Sequence, residues 1–194
     1  MKFRDVAIFN GDRYLVPQCI QRIDHRATHG WQLRYGGTKL FSDHSNDGSG
    51  AAVALAAATK ELIRRIATLE APTTLQRGPS ANKTSDLPPG ISGPILRERA
   101  DGRAQDQSLA VLLPRFGQAP IRRSVYIGTE RTATKTKFRA ALARAKAMRA
   151  QAEETYRKAA TRARRAEAKE LRAMLASGAF EKQAARRARK AVER

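Results

Sequence analysis

Apolar and polar positions alternate through residues 5–16, D-V-A-I-F-N-G-D-R-Y-L-V, in two short runs on either side of Asn10-Gly11. Both central residues tolerate positive φ, so the pattern predicts a β-hairpin. Pro17 marks the entry to a strand around Cys19–Asp24, and the polar turn H-R-A-T-H-G leads to a second strand, Trp31 to Tyr35. Gly36-Gly37 then predicts a two-residue loop before a third strand, Thr38 to Ser42. With that loop Tyr35 faces Thr38, Arg34 faces Lys39 and Leu33 faces Leu40, and opposed residues share a face. One face therefore carries Trp31, Leu33, Tyr35 and Leu40 as core, and the other carries Gln32, Arg34 and Lys39 as a ligand surface. A loop one residue longer moves Lys39 to the other face. In the first strand, Ile20 and Ile23 cannot both face the core unless the strand bulges, so Gln21 and Arg22 are equal candidates for the outer face.

From Ala51 the period changes. Ala51, Leu55, Ala58, Leu62 and Ile66 recur at spacings of four and three, the stripe of an amphipathic helix whose small residues allow close packing on a sheet. Residues 71–89 are rich in Pro, Ser, Thr and Asn without periodicity and read as a linker. The order then repeats, with strands over Ile91–Arg97, Leu109–Leu113 and Ile121–Ile127 and a helix beginning near Ala133 with Phe138, Leu142, Ala145 and Met148 on one stripe. Pro114 and Pro120 predict short or edge strands in this second copy. Gln151 to Glu170 is almost wholly Ala, Arg, Lys and Glu, all strong helix formers, with Tyr156 its one large apolar residue. No apolar heptad seam runs through it, which argues against a coiled coil. Ser177-Gly178 ends the helix, and a short basic helix follows. The expected fold is α+β, two modules of a three-stranded antiparallel sheet plus helix, the second helix extended into a long basic one. The expected boundaries are 1–70, a linker over 71–89, a second module over 90–150 and a basic tail over 151–194.

Charge changes the picture from fold to partner. Lys and Arg number 38 against 18 Asp and Glu, a formal net charge of +20, which favours polyanions. Residues 119–194 hold 22 of the cations against 7 acids, so the excess sits mainly in the second half. Arg162, Arg164, Arg165, Lys169 and Arg172 lie within three turns, and Arg186, Arg187, Arg189 and Lys190 follow. Like charges at these spacings destabilise an isolated helix unless a polyanion neutralises them, so these residues are the candidate phosphate contacts of the tail. The lone Cys19 has no disulfide or zinc partner and suits a reducing interior. No stretch resembles a signal peptide or a membrane span, so the expected setting is cytoplasmic and nucleoid-associated.

I-Q-R-I-D over 20–24, T-H-G-W-Q-L-R over 28–34 and F-S-D over 41–43 resemble the Apetala-two/ethylene-response-factor DNA-binding domain in its bacterial and phage variant. The resemblance covers about Tyr14 to Leu69. Gly90–Gly93, R-S-V-Y-I-G over 123–128 and the helix after them resemble a divergent second copy without the tryptophan motif. The resemblance implies a sheet that enters the major groove of double-stranded DNA, with contacts from Gln21 and Arg22 on strand one, Gln32 and Arg34 on strand two and Lys39 on strand three. Arg26 in the first turn, with Arg122 and Tyr126 in the second copy, complete the candidate DNA contacts. The types fit the chemistry: Arg forks onto guanine O6 and N7, Gln pairs with adenine, and Lys suits phosphate.

Catalysis has no visible residue set. His25, His29 and His44 lack the cysteine pair or carboxylate cluster of a coordination set, and no H-N-H, Ser-His-Asp or phosphate-loop pattern occurs. The expectation is a non-enzymatic DNA-binding regulator of phage or mobile-element type with no cofactor, no metal and no membrane partner. A packaging or nucleoid protein of low specificity, or an RNA- or ribosome-associated protein, is the alternative.

Overall fold

A computed structural model describes residues 1–79, 81–98, 102 and 105–178. Its elements are three small antiparallel sheets and two helices, an α+β architecture. The chain divides into two compact units, one of Met1–Pro72 with the chain from Thr161 on, the other of Thr73–Ala160.

In the first unit, β1 (Phe3–Ala7) and β2 (Arg13–Pro17) pair as a hairpin whose loop has Asn10-Gly11 at its apex. Gly11 takes a φ of 90°, and the Asn10 side chain accepts the Asp12 N–H at 3.0 Å, closing the loop locally. The chain then forms β3 (Ile20–His25), β4 (Thr28–Arg34) and β5 (Thr38–Ser42), in that spatial order. Helix α1 (Ala51–Thr68) covers one face of this sheet. Its stripe of Ala51, Leu55, Ala58, Leu62 and Ile66 is buried against Ile20, Trp31, Leu33 and Tyr35, as the periodicity predicts.

The sheet register differs from the expected one by a residue. Arg34 pairs with Thr38, Leu33 with Lys39, Gln32 with Leu40 and Trp31 with Phe41, so Tyr35-Gly36-Gly37 form a three-residue loop. Both glycines have left-handed φ, 61° and 109°, which either loop length could use. What distinguishes them lies on α1: the Arg65 guanidinium donates to the Tyr35 carbonyl at 2.9 Å and to the Gly37 carbonyl at 2.8 Å. The longer loop puts Phe41 rather than Leu40 on the core face, where it packs beside the buried cluster. Leu40 consequently turns outward and is 43% exposed. Strand β3 is regular, without a bulge, because only Ile20 faces the core and Ile23 lies on the other side.

In the second unit, β6 (Ile91–Glu98), β7 (Gln105–Arg115) and β8 (Gln118–Thr129) form a sheet with β7 central, followed by α2 (Lys135–Ala176). Ile91, Leu109, Val111, Val125 and Ile127 pack on Ala141 and Ala145, flanked by Phe138, Leu142 and Met148. The strands are longer than the prolines predict, at 11 residues for β7 and 12 for β8. Pro120 lies on the edge strand β8. Pro114 lies on the central strand, but at a register shift between Leu113 and Arg115, where a missing N–H interrupts no regular pairing.

The last part of α2 belongs to the first core. Ala168, near the end of the Ala/Arg/Lys/Glu run, and Leu171 just past it are buried there, with Met174 and Leu175 against them, and these leucines and Met174 supply the apolar side that the run lacks. The helix ends at Ala176, and Gly178 at a φ of 63° returns its N–H to the Leu175 carbonyl at 3.2 Å.

Two outcomes follow from this packing. Leu171→Ala should lower the unfolding free energy of the first unit by roughly 2–5 kcal/mol, the usual cost of emptying a buried leucine site, read by chemical denaturation; a loss within error would contradict the docking of α2 there. Glu61, hydrogen-bonded by Arg64 and Arg65, is depressed from 4.5 to about 2. A carboxyl lowered by folding stabilises fully above about pH 4.5 and loses that contribution as pH falls through about 2. Glu61→Gln should therefore flatten the acid limb of the stability curve over that interval and leave its neutral-to-alkaline shape unchanged.

Candidate nucleic-acid interface

Strand alternation and the observed register divide the first sheet into two chemically different faces. The face toward α1 holds Ile20, Trp31, Leu33 and Phe41, and with them Arg22. Arg22 is opposed to Trp31 and lies over its ring at 5.0 Å from the centroid. Its guanidinium forks onto Asp43 at 2.9 and 2.5 Å, while Nε donates to Asp24 at 2.9 Å. The Arg22 side chain is 6% exposed and that of Asp43 fully buried, so this arginine is consumed by the interior and does not lie on the outer face. Burial works to lower the Arg22 pKa, but hydrogen bonds to Asp43 and Asp24 outweigh it and hold the guanidinium charged. Burial likewise pushes Asp24 up, and the opposing bonds from Arg22 and His29 bring it below its ordinary value.

The outer face carries Gln21, Ile23, Gln32, Arg34, Thr38, Leu40 and Ser42. Gln21 lies directly opposite Gln32, and Arg34 follows two residues along β4 on the same side. The Arg34 Nε donates to Gln32 Oε1 at 2.6 Å, so the guanidinium is oriented before any ligand arrives. Gln21 and Arg34 are exposed and Gln32 is half-buried. Arg26 occupies the two-residue turn between β3 and β4 with a φ of 44°, at the opposite end of the sheet from Arg34, and is exposed.

Lys39 requires a correction. It is opposed to Leu33 on the inner-face register, because the loop is one residue longer than predicted, and its exposed ammonium lies 5.1 Å from the centroid of Phe41. Leu40 takes the outer place beside Gln32. The residues that sequence reasoning missed on this face are Thr38, Leu40 and Ser42, and with them Ile23. The paired glycines fit both loop lengths, so the local sequence held no signal for the three on β5, whereas Ile23 follows from alternation once Ile20 faces the core.

In the second unit, Arg122 and Tyr126 do lie on the sheet face away from α2, opposed to Leu112 and Ser108. Tyr126 is 49% exposed. Beside this face, Gln76 and Asn82–Ser85 line a cleft of about 570 Å³ together with Ser92, Ala110, Leu112 and Arg122. Lys83 fastens that segment by donating to the carbonyls of Pro88 and Ile91 at 2.5 and 2.9 Å.

Of the tail candidates, Arg164 is turned inward. It donates to Glu167 at 2.8 Å and to the Cys19 sulfur at 3.5 Å, and lies 6.0 Å from the Tyr35 ring centroid. Arg162, Arg165, Lys169 and Arg172 are exposed. Arg186, Arg187, Arg189 and Lys190 lie outside the described residues. Among the described residues no group of three or more His, Cys, Asp or Glu side chains stands ready to hold a metal, and no helix is long and apolar enough to cross a membrane.

No family model, curated protein or solved structure matches the chain.

The ion pair beneath the sheet yields a stability test. Arg22→Met should cost roughly 3–5 kcal/mol, because it strands the buried Asp43 carboxylate, and adding Asp43→Leu should recover part of the loss, as replacement of a whole buried pair by apolar groups commonly does. Equal or additive losses in urea titrations of the two variants would contradict this account.

Proposed function

We propose that the protein binds double-stranded DNA with a sequence preference, laying the outer face of β3–β5 in the major groove, and acts as a transcriptional regulator or related factor of phage or mobile-element type. One observation carries this reading: Gln21, Gln32 and Arg34 form a contiguous, carboxylate-free row on a face whose large aromatic residue is turned inward. These are base-reading side chains, Arg for guanine and Gln for adenine, and Ile23 and Leu40 beside them suit the methyl group of thymine. Scale supports the same partner. Three strands at about 4.8 Å spacing put the outer strand axes about 10 Å apart, close to the roughly 12 Å width of the B-form major groove. The A-form RNA major groove is too narrow for such a sheet, which favours DNA over RNA.

The exposed tail cations Arg162, Arg165, Lys169 and Arg172 supply sequence-independent attraction to phosphate, and the net charge of +20 strengthens it. The resemblance to the Apetala-two/ethylene-response-factor domain points to the same use of the sheet. Recognition and affinity are thus assigned to different residues.

Duplexes selected from a random pool provide the test. Arg34→Ala should weaken binding to a selected duplex by about 5- to 150-fold, the range of one bidentate base contact, and change binding to random duplex far less. Equal losses on both would remove the sheet as the reader, and failure to select any duplex would favour a coating protein of low specificity.

A further inference from the structure

Where β2 turns into β3, a cleft of about 440 Å³ lies between the N-terminal hairpin and the end of the first sheet. Lys2, Arg4 and Arg34 line it, with Gln18, Gln21 and Phe3. No carboxylate is among its lining residues. Asp5, the hairpin's nearby acid, is engaged by Arg13 at 2.9 Å. Cys19 makes the corner with a φ of 78°.

Hydrogen bonds tie the Lys2 backbone and the Arg4 side chain to the β2–β3 corner. The Lys2 carbonyl accepts the Gln18 N–H at 3.0 Å, which extends the hairpin pairing to that residue. One Arg4 nitrogen donates to the Ile20 carbonyl at 2.6 Å and fixes the guanidinium against the start of β3. Lys2 and Arg4 are exposed, and the neighbouring Met1 ammonium takes the nearby Glu167 and Glu170 carboxylates at 3.7 and 3.9 Å. Gln21 and Arg34 border this cleft and also belong to the outer face of the sheet, so the two surfaces are continuous.

We infer that this cleft holds the phosphodiester backbone of one strand of the same duplex, with Lys2 and Arg4 as phosphate contacts and the half-buried Phe3 against deoxyribose. The inference rests on the major-groove reading above. A duplex whose groove receives the sheet carries a backbone along each rim, and the rim beyond β3 passes over the hairpin. Three cations with no carboxylate among the lining residues suit a phosphate chain, and the continuity through Gln21 and Arg34 sets base reading and backbone contact in one register. The hairpin is then part of the binding surface as well as a lid on the core.

Fluorescence anisotropy on selected and random duplexes, each across a range of salt, tests this with the full chain. Lys2→Gln/Arg4→Gln should reduce the slope of log affinity against log salt by about 2, near 0.9 per lost phosphate contact, and weaken both duplexes by the same factor. Lys2→Gln alone should reduce it by about 1 while leaving the Arg4 anchor to Ile20 intact. Lys60→Gln/Arg64→Gln, on the exposed side of α1, removes the same charge elsewhere and should leave the slope near that of the parent. A slope for both cleft variants equal to the parent's, or to that of the α1 variant, overturns the cleft assignment. If Arg34→Ala still loses discrimination in that case, the groove reading stands and only the cleft falls; a parent chain that binds no duplex removes both.

Discussion

The fork of Arg22 onto Asp43 is the interaction on which the first unit turns. Arg22 comes from β3, the ring beneath it from β4, and Asp43 from the residue after β5, so one guanidinium ties the three strands from the inner side. The same junction positions α1. The Trp31 Nε1 donates to the Ala51 carbonyl in the helix's first turn at 2.8 Å, and a Cβ at Gly50 would fall 1.8 Å from the Asp43 carbonyl. A side chain at residue 50 would therefore push the helix from the sheet. Burying charge in this way is costly, and the pair is retained only with its bonds satisfied: Asp43 accepts two, and Arg22 spends its remaining Nε on Asp24. The consequence for the opposite face is direct, since fixing the inner residues in register fixes Gln21, Gln32 and Arg34 on the outer one.

The two units use one pattern of sheet and helix differently. In the first, the face away from α1 presents Gln21, Gln32 and Arg34. In the second, the corresponding face has the segment containing Lys83 beside it, and its exposed side chains include Leu112 and Tyr126. Helix α2 contributes to each core in turn, through Ala141 and Ala145 to one and through Ala168 and Leu171 to the other. Its charge is correspondingly mixed in role. Arg149 is buried, bonded to Glu153 at 2.6 Å and to the Leu112 carbonyl, and Arg164 is bonded to Glu167, whereas Arg162, Lys169 and Arg172 are exposed. Counting cations along a helix does not by itself say which of them meet a ligand.

Local sequence was sufficient for elements whose signal is periodicity or turn chemistry. The α1 stripe, the Asn10-Gly11 hairpin, the order of strands in both units and the stop at Ser177-Gly178 are all legible, because each depends on residues within a few positions of one another. Trp31 as core and Arg34 as an outer residue are legible for the same reason, through simple alternation along β4. Register on β5 is not, because Gly36 and Gly37 adopt positive φ in a loop of either length. Arg65, nearly thirty positions away, captures the loop carbonyls and sets the count, and with it the exchange of Lys39 for Leu40 on the outer face.

The sequence by itself determined the class of fold, the alternation that turns Trp31 inward and Arg34 outward, and a basic excess suited to a polyanion. Only the tertiary structure decided which arginines remain exposed. Arg22 and Arg34 are the same residue type on neighbouring strands, yet a buried carboxylate from beyond β5 takes the first and leaves the second, and the end of α2 is drawn into the first core by Leu171. The reason is physical: desolvated charges and apolar side chains are satisfied by whatever the fold brings near, and that proximity is set by contacts between residues far apart in the chain.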